Sequence, residues 1–168
     1  MSMDFLRRIF RVNGDSPLEL VRTRLATVDV KAAEIGCFGV QLASPESLEA
    51  EQRGYQGATW KRTWIVIGRE LGGGDPFFLD TAGADWPVYT AKHGTGAWFP
   101  RPVASSFANF QKGLEITARV CEGRENPVAL EKKPLTKPEV QQFKKDLKAA
   151  VGSKDTEFWH DLVAFYLE

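Results

Sequence analysis

Residues 67–110 read IGRELGGGDPFFLDTAGADWPVYTAKHGTGAWFPRPVASSFANF, and this stretch decides the fold. Phe77-Phe78-Leu79 is bulky and apolar between glycine- and aspartate-rich segments, which predicts a short strand. Gly72-Gly73-Gly74-Asp75 before it and Thr81 to Asp85 after it read as turns. Pro87-Val88-Tyr89-Thr90-Ala91 is the next strand. Upstream, Trp60 to Ile67 is rich in aromatic and β-branched residues and predicts another, ending at Gly68. The connections are too short to hold crossover helices. The strands therefore form an antiparallel meander and not a doubly wound sheet. Past Trp98 a helix follows. Ser105 or Ser106 can cap it, Phe107, Phe110, Leu114, Ala118 and Cys121 line one face, and Gly123 ends it.

Outward from this block the signals weaken on the N-terminal side. Phe38 to Leu42 is a strand candidate, and Ser44-Pro45-Glu46 has the serine-cap, proline-first form of a helix start, closed by Gly54 and Gly57. Ser16-Pro17-Leu18-Glu19 is a capping box with Leu18, Val21 and Leu25 at helical spacing behind it. Leu25 to Val30 is ambiguous between helix and strand. The first dozen residues set Phe5, Leu6, Ile9 and Phe10 against arginines, a docked terminal segment in preference to a membrane-surface helix, since Asn13-Gly14 stops it after two turns. Downstream, a connector punctuated by Pro127, Pro134 and Pro138 leads to a second capping box, Thr136 to Glu139. Val140, Phe143 and Leu147 form an apolar stripe that Gly152 closes. A last helix from near Asp155 presents Phe158, Trp159, Leu162, Val163, Phe165 and Tyr166, aromatic surface that must pack on the sheet or on a partner.

Composition narrows the function. The 168 residues suit one domain spanning 1–168, and 43% apolar content is enough to offset the entropy of folding. Lysine plus arginine equals aspartate plus glutamate at 22 each, so no net field points to nucleic acid or an anionic membrane. Residues 38 to 98 hold seven acidic and five basic side chains and residues 99 to 168 ten and eleven, imbalances too small to name a ligand. No apolar run suits a signal peptide or a transmembrane span. A cytoplasmic location with Cys37 and Cys121 as free thiols is the expectation. Cys37, His93, Cys121 and His160 lack the close paired spacing of zinc sites, so no metal or cofactor is expected.

Four features invite a site. The Gly72–Asp75 run lacks the Lys-Ser/Thr step that cradles phosphate, and the aspartate would repel the anion. Asp75, Asp80 and Asp85 recur every five residues without the alternating oxygens of a calcium loop, and Asp75 and Asp80 read as turn-capping groups at the ends of one strand. His93 could act as a general base, yet no nucleophile elbow accompanies it. Trp86, Tyr89 and Trp98 are of the types that dominate protein interfaces, and with His93 they form the candidate partner-binding set. No reaction can be assembled from these residues, and a non-catalytic protein is expected.

The ordered segments Ile67-Gly68, Gly74-Asp75-Pro76-Phe77-Phe78-Leu79-Asp80, Pro87-Val88-Tyr89 and Ala104-Ser105-Ser106-Phe107-x-x-Phe110, with His93-Gly94 and Trp98 between, resemble the SUKH superfamily. That group includes the fungal Smi/Knr regulator of cell-wall glucan synthesis and bacterial immunity proteins that neutralise toxins. On this resemblance Gly68, Gly74, Asp75, Phe78, Asp80, Pro87, Val88, Tyr89, Ser106, Phe107 and Phe110 are structural motif positions. Residues 37–123 form the SUKH-like core, 1–36 an atypical N-terminal region without the family's usual opening helix, and 124–168 a helical C-terminal extension. The resemblance implies an α+β fold, a twisted and mostly antiparallel sheet with helices packed against it. It also implies no catalytic apparatus and a cognate toxin as partner, or a regulatory scaffold role in cell-wall assembly. A homo-oligomer is left open.

Overall fold

The computed structural model of the chain describes residues 16–55 and 57–167; the amphipathic segment read in the first dozen residues lies outside them. Among the described residues, six strands form one antiparallel sheet in sequence order: β1 (Ala32–Ile35), β2 (Phe38–Leu42), β3 (Trp64–Glu70), β4 (Pro76–Asp80), β5 (Val88–Thr90) and β6 (Arg101–Ala104). The sheet is curled into a half-barrel. Six helices accompany it: α1 (Pro17–Ala26), α2 (Leu48–Glu51), α3 (Phe107–Cys121), α4 (Pro127–Lys132), α5 (Lys137–Val151) and α6 (Glu157–Ala164). The expected α+β architecture is therefore the one observed, as is the meander; of the two serines that could cap the following helix it is Ser106 that does so, its hydroxyl accepting from the Asn109 amide at 3.0 Å. Ser16 caps α1 in the same way, and Thr136 and Glu139 close a complete capping box on α5.

Several elements differ from expectation. β3 starts at Trp64, leaving Trp60 in a turn, and it runs through Gly68 instead of stopping there. The pairing of β3 with β4 slips between Val66 and Gly68, and a Cβ on Gly68 would stand 2.2 Å from the Gln41 carbonyl oxygen. The glycine marks a bulge where two backbones approach, not a strand end. α2 begins only at Leu48; the Ser44 hydroxyl instead accepts from the Ser47 amide at 3.1 Å and caps the turn ahead of it. β1, β6 and α4 have no sequence-level counterpart. Ala32-Ala-Glu-Ile35 has weak β propensity and becomes a strand by pairing with β2 across a two-residue turn, in which Gly36 takes φ +57°.

Alternation along the strands divides the sheet. Ile65, Ile67, Phe77, Leu79 and Val88 enter the main core beneath the helices, where Phe107, Phe110 and Leu114 of α3 and Trp159 of α6 meet them. The aromatic C-terminal helix thus packs inward: Phe158 lies edge-on to Phe77 at 5.4 Å and Trp159 against Phe110 at 5.5 Å. Trp64, Val66, Phe78 and Ala91 point to the opposite face.

Candidate functional site

That opposite face carries the candidate site. Phe78 and Tyr89 are register partners on β4 and β5 and stack at 5.9 Å, while Trp64 of β3 lies 4.7 Å from Phe78. Cross-strand neighbours on one face necessarily meet, so this part follows directly from the pairing. Two loops complete the cluster. The segment after α2 brings Trp60 to 4.9 Å from Phe78 and Tyr55 to 5.2 Å from Trp60. The segment 92–100 brings Trp98 to 5.2 Å from Trp60 and 5.5 Å from Tyr55. Six aromatic rings form a continuous patch whose outer members, Tyr55, Trp60, Tyr89 and Trp98, keep part of their surface in water. Phe99, next to Trp98, is 72% exposed.

The loop carrying Trp98 is tied at both ends. Its far end is held by the Trp98 amide, which donates to the Thr59 hydroxyl at 2.8 Å. Its near end is held by Asp75, a buried carboxylate that accepts from the His93 amide at 3.1 Å, lies 2.7 Å from His93 Nδ1 and pairs with Lys92 Nζ at 3.0 Å. Burial pushes the Asp75 carboxyl upward, and the His93 amide with the Lys92 and His93 side chains outweighs it, leaving the group below the usual carboxylate range. Asp80 closes the other end of β4, accepting from Ala82 N–H at 3.0 Å and from the Trp64 indole at 3.1 Å. Asp80 therefore does cap its turn as expected. Asp75 does not; it reaches sideways to the loop after β5. Beneath the patch, β2 ends before Val66, and the Gln52 carboxamide substitutes for the missing strand by bonding both the Val66 N–H and C=O at 2.9 Å.

Of the four candidate partner-binding residues, Tyr89 and Trp98 are brought into this one cluster and His93 into the anchor of its loop. Trp86 is on the other side: its ring packs against the main core and lies under the Arg24 guanidinium at 5.6 Å. The positive φ of Trp86, +52°, turns the chain into β5 and sends the indole toward the helices. Tyr55 and Trp60 also belong to the patch; the sequence reads Trp60 as the start of a strand and gives Tyr55 no place, since the connection between helix and strand has no periodicity that shows where its rings fold back. Chemically, the aspartate orients the histidine ring. Together the two residues tie the loop after β5 to the start of β4. The motif positions Gly68, Gly74, Asp75, Phe78, Asp80, Pro87, Val88, Ser106, Phe107 and Phe110 serve bulge, turn, core and cap.

No protein-family model, curated protein or solved structure matches the chain.

Proposed function

We propose that the chain is a non-catalytic protein-binding module of the immunity type, which neutralises a cognate toxin by docking through the aromatic face. The observation that carries this reading is the half-buried patch of Tyr55, Trp60, Tyr89 and Trp98 on the sheet face opposite the main core, where no helix lies over it among the described residues, extended by exposed Phe99. Tyr and Trp combine large contact area with low conformational cost, and such residues dominate binding energy where they are pre-ordered. Here the loop is pre-ordered by Asp75 and Thr59. The four sequence segments resembling the SUKH superfamily add the expectation of a toxin partner.

Co-expression with the toxin encoded beside the gene is expected to rescue growth. A Trp98→Ala/Phe99→Ala variant should lose rescue while keeping its far-UV spectrum and melting temperature within a few degrees of the parent. Full rescue by that folded variant would remove the aromatic face from the reading. Absence of rescue with every neighbouring toxin candidate would remove the immunity role.

A further inference from the structure

The sheet has two edges, and they are treated differently. β6 contains Pro102, which has no N–H to offer a partner, and α6 lies against it, with Arg101 pairing to Asp161. β1 contains no proline, and although α3 packs against it, part of its outward backbone has no partner among the described residues. The hydrogen bond from Leu42 N–H to Lys31 C=O fixes which groups face inward: residues 31, 33 and 35 bond β2, so the N–H and C=O groups of Ala32 and Glu34 point outward. The next outward group, Gly36 N–H, already donates to the Arg124 carbonyl at 2.8 Å, one rung of an added strand supplied by the chain itself. No described residue bonds the outward groups of Ala32 or Glu34.

Beside this edge runs a groove of about 360 Å³ between β1 and α3. Its floor is small and apolar, with Ala33, Ala118 and Cys121. Its rim is acidic, Glu34, Glu115, Glu122 and Glu125 outnumbering Arg119. An edge strand flanked by a helix can accept an extended peptide, whose backbone bonds the edge while alternate side chains drop into the groove. Charge decides the occupant. A second copy pairing β1 with β1 would set these carboxylates against their own copies, whereas lysine or arginine side chains meet them favourably.

We propose that the β1 edge binds an extended, Lys/Arg-rich segment of a partner protein, which adds a seventh strand through Ala32 and Glu34. The side chains of that segment that face α3 lay their aliphatic stems on Ala33 and Ala118 and bring their basic ends to Glu115 and Glu122, while the alternate ones pass Glu34 on the other face. This surface is separate from the aromatic face and does not depend on what that face binds.

The test uses the full chain and a capped hexapeptide of alternating valine and arginine, followed by amide chemical shifts. Saturable shifts centred on Ala32 and Glu34, weakening as salt is raised, are the expected result. Ala32→Pro removes an outward N–H while sparing the bonds to β2, so it should weaken binding about tenfold or more with the β2 amides unchanged. Glu115→Lys/Glu122→Lys should do the same without touching the backbone. The proposal is overturned if no saturable shift appears at millimolar peptide, if a valine–glutamate peptide binds equally, or if both variants bind like the parent. It is also overturned if the Ala32 and Glu34 amides are already exchange-protected without peptide. Protection that rises with protein concentration would assign the edge to a second copy, and protection abolished by deleting residues 1–15 would assign it to the chain's own N-terminal segment.

Discussion

Gly113 sits in the middle of α3, where glycine costs about 1 kcal/mol relative to alanine. The reason for it lies in α6: a Cβ at Gly113 would stand 2.6 Å from the Trp159 indole, which is fully buried over that spot. Gly113→Ala is therefore expected to destabilise the protein by roughly 1–3 kcal/mol in spite of the better helix former, because the core cannot shift to admit a methyl group. Urea denaturation checks this, and a stabilised variant would mean that Trp159 is free to move. One turn earlier, Phe110 is fully buried with its ring 6.1 Å from Phe77 and 5.5 Å from Trp159. Phe110→Ala should cost about 3–5 kcal/mol by the same measurement. The burial of Phe110 was legible from its place in the helical stripe; the role of Gly113 was not, since it depends on a tryptophan far along the chain.

Among the elements, the 92–100 loop depends on one carboxylate. Asp75 titrates below its ordinary value of 3.8 in the folded protein, so its contribution is complete above about pH 4 and is lost as pH falls through the lower folded value. The His93 amide resonance should move in that acid range, and in Asp75→Ala it should already be displaced at neutral pH and stay flat. A His93 amide that titrates identically in both proteins would deny Asp75 the anchoring role. The connection from α3 to α5 depends on a buried cation instead. Arg124 donates to the Val120, Lys133 and Pro134 carbonyls and to Glu139, whose carboxyl is lowered to about 2, chiefly by the Arg124 bond. Arg124→Met strands those carbonyls and should cost about 2–4 kcal/mol in chemical denaturation. Glu139 stabilises the fold fully above its ordinary 4.5 and loses that effect as pH falls toward about 2. The acid dependence from this group should shrink in the variant.

Across the whole molecule, the C-terminal helices are part of the core and not an addition to it. Trp159 and Val163 are fully buried, Phe158 meets Phe77, and the Tyr166 hydroxyl accepts from the Cys37 amide at 2.7 Å. Deleting residues 153–168 removes at least one buried aromatic worth about 3–5 kcal/mol from a total of roughly 5–15. The truncated chain is expected to lose its cooperative melt by circular dichroism; a melting temperature near that of the full chain would make these helices accessory. By itself the sequence determined the antiparallel meander, the caps at Ser16 and Thr136, a cap at Ser105 or Ser106, and the stripes of α3 and α5, because turn chemistry, capping and periodicity act over a few residues. The tertiary structure alone decided that Ala32–Ile35 is a strand, that Gly68 is a bulge, that Trp86 turns away from Tyr89 and Trp98, and that Asp75 holds the loop at His93. Each of those outcomes rests on a partner elsewhere in the fold (β2, Gln41, the helix-side core, the turn after β5), and local propensity carries no information about a contact the chain makes only once it has folded back on itself.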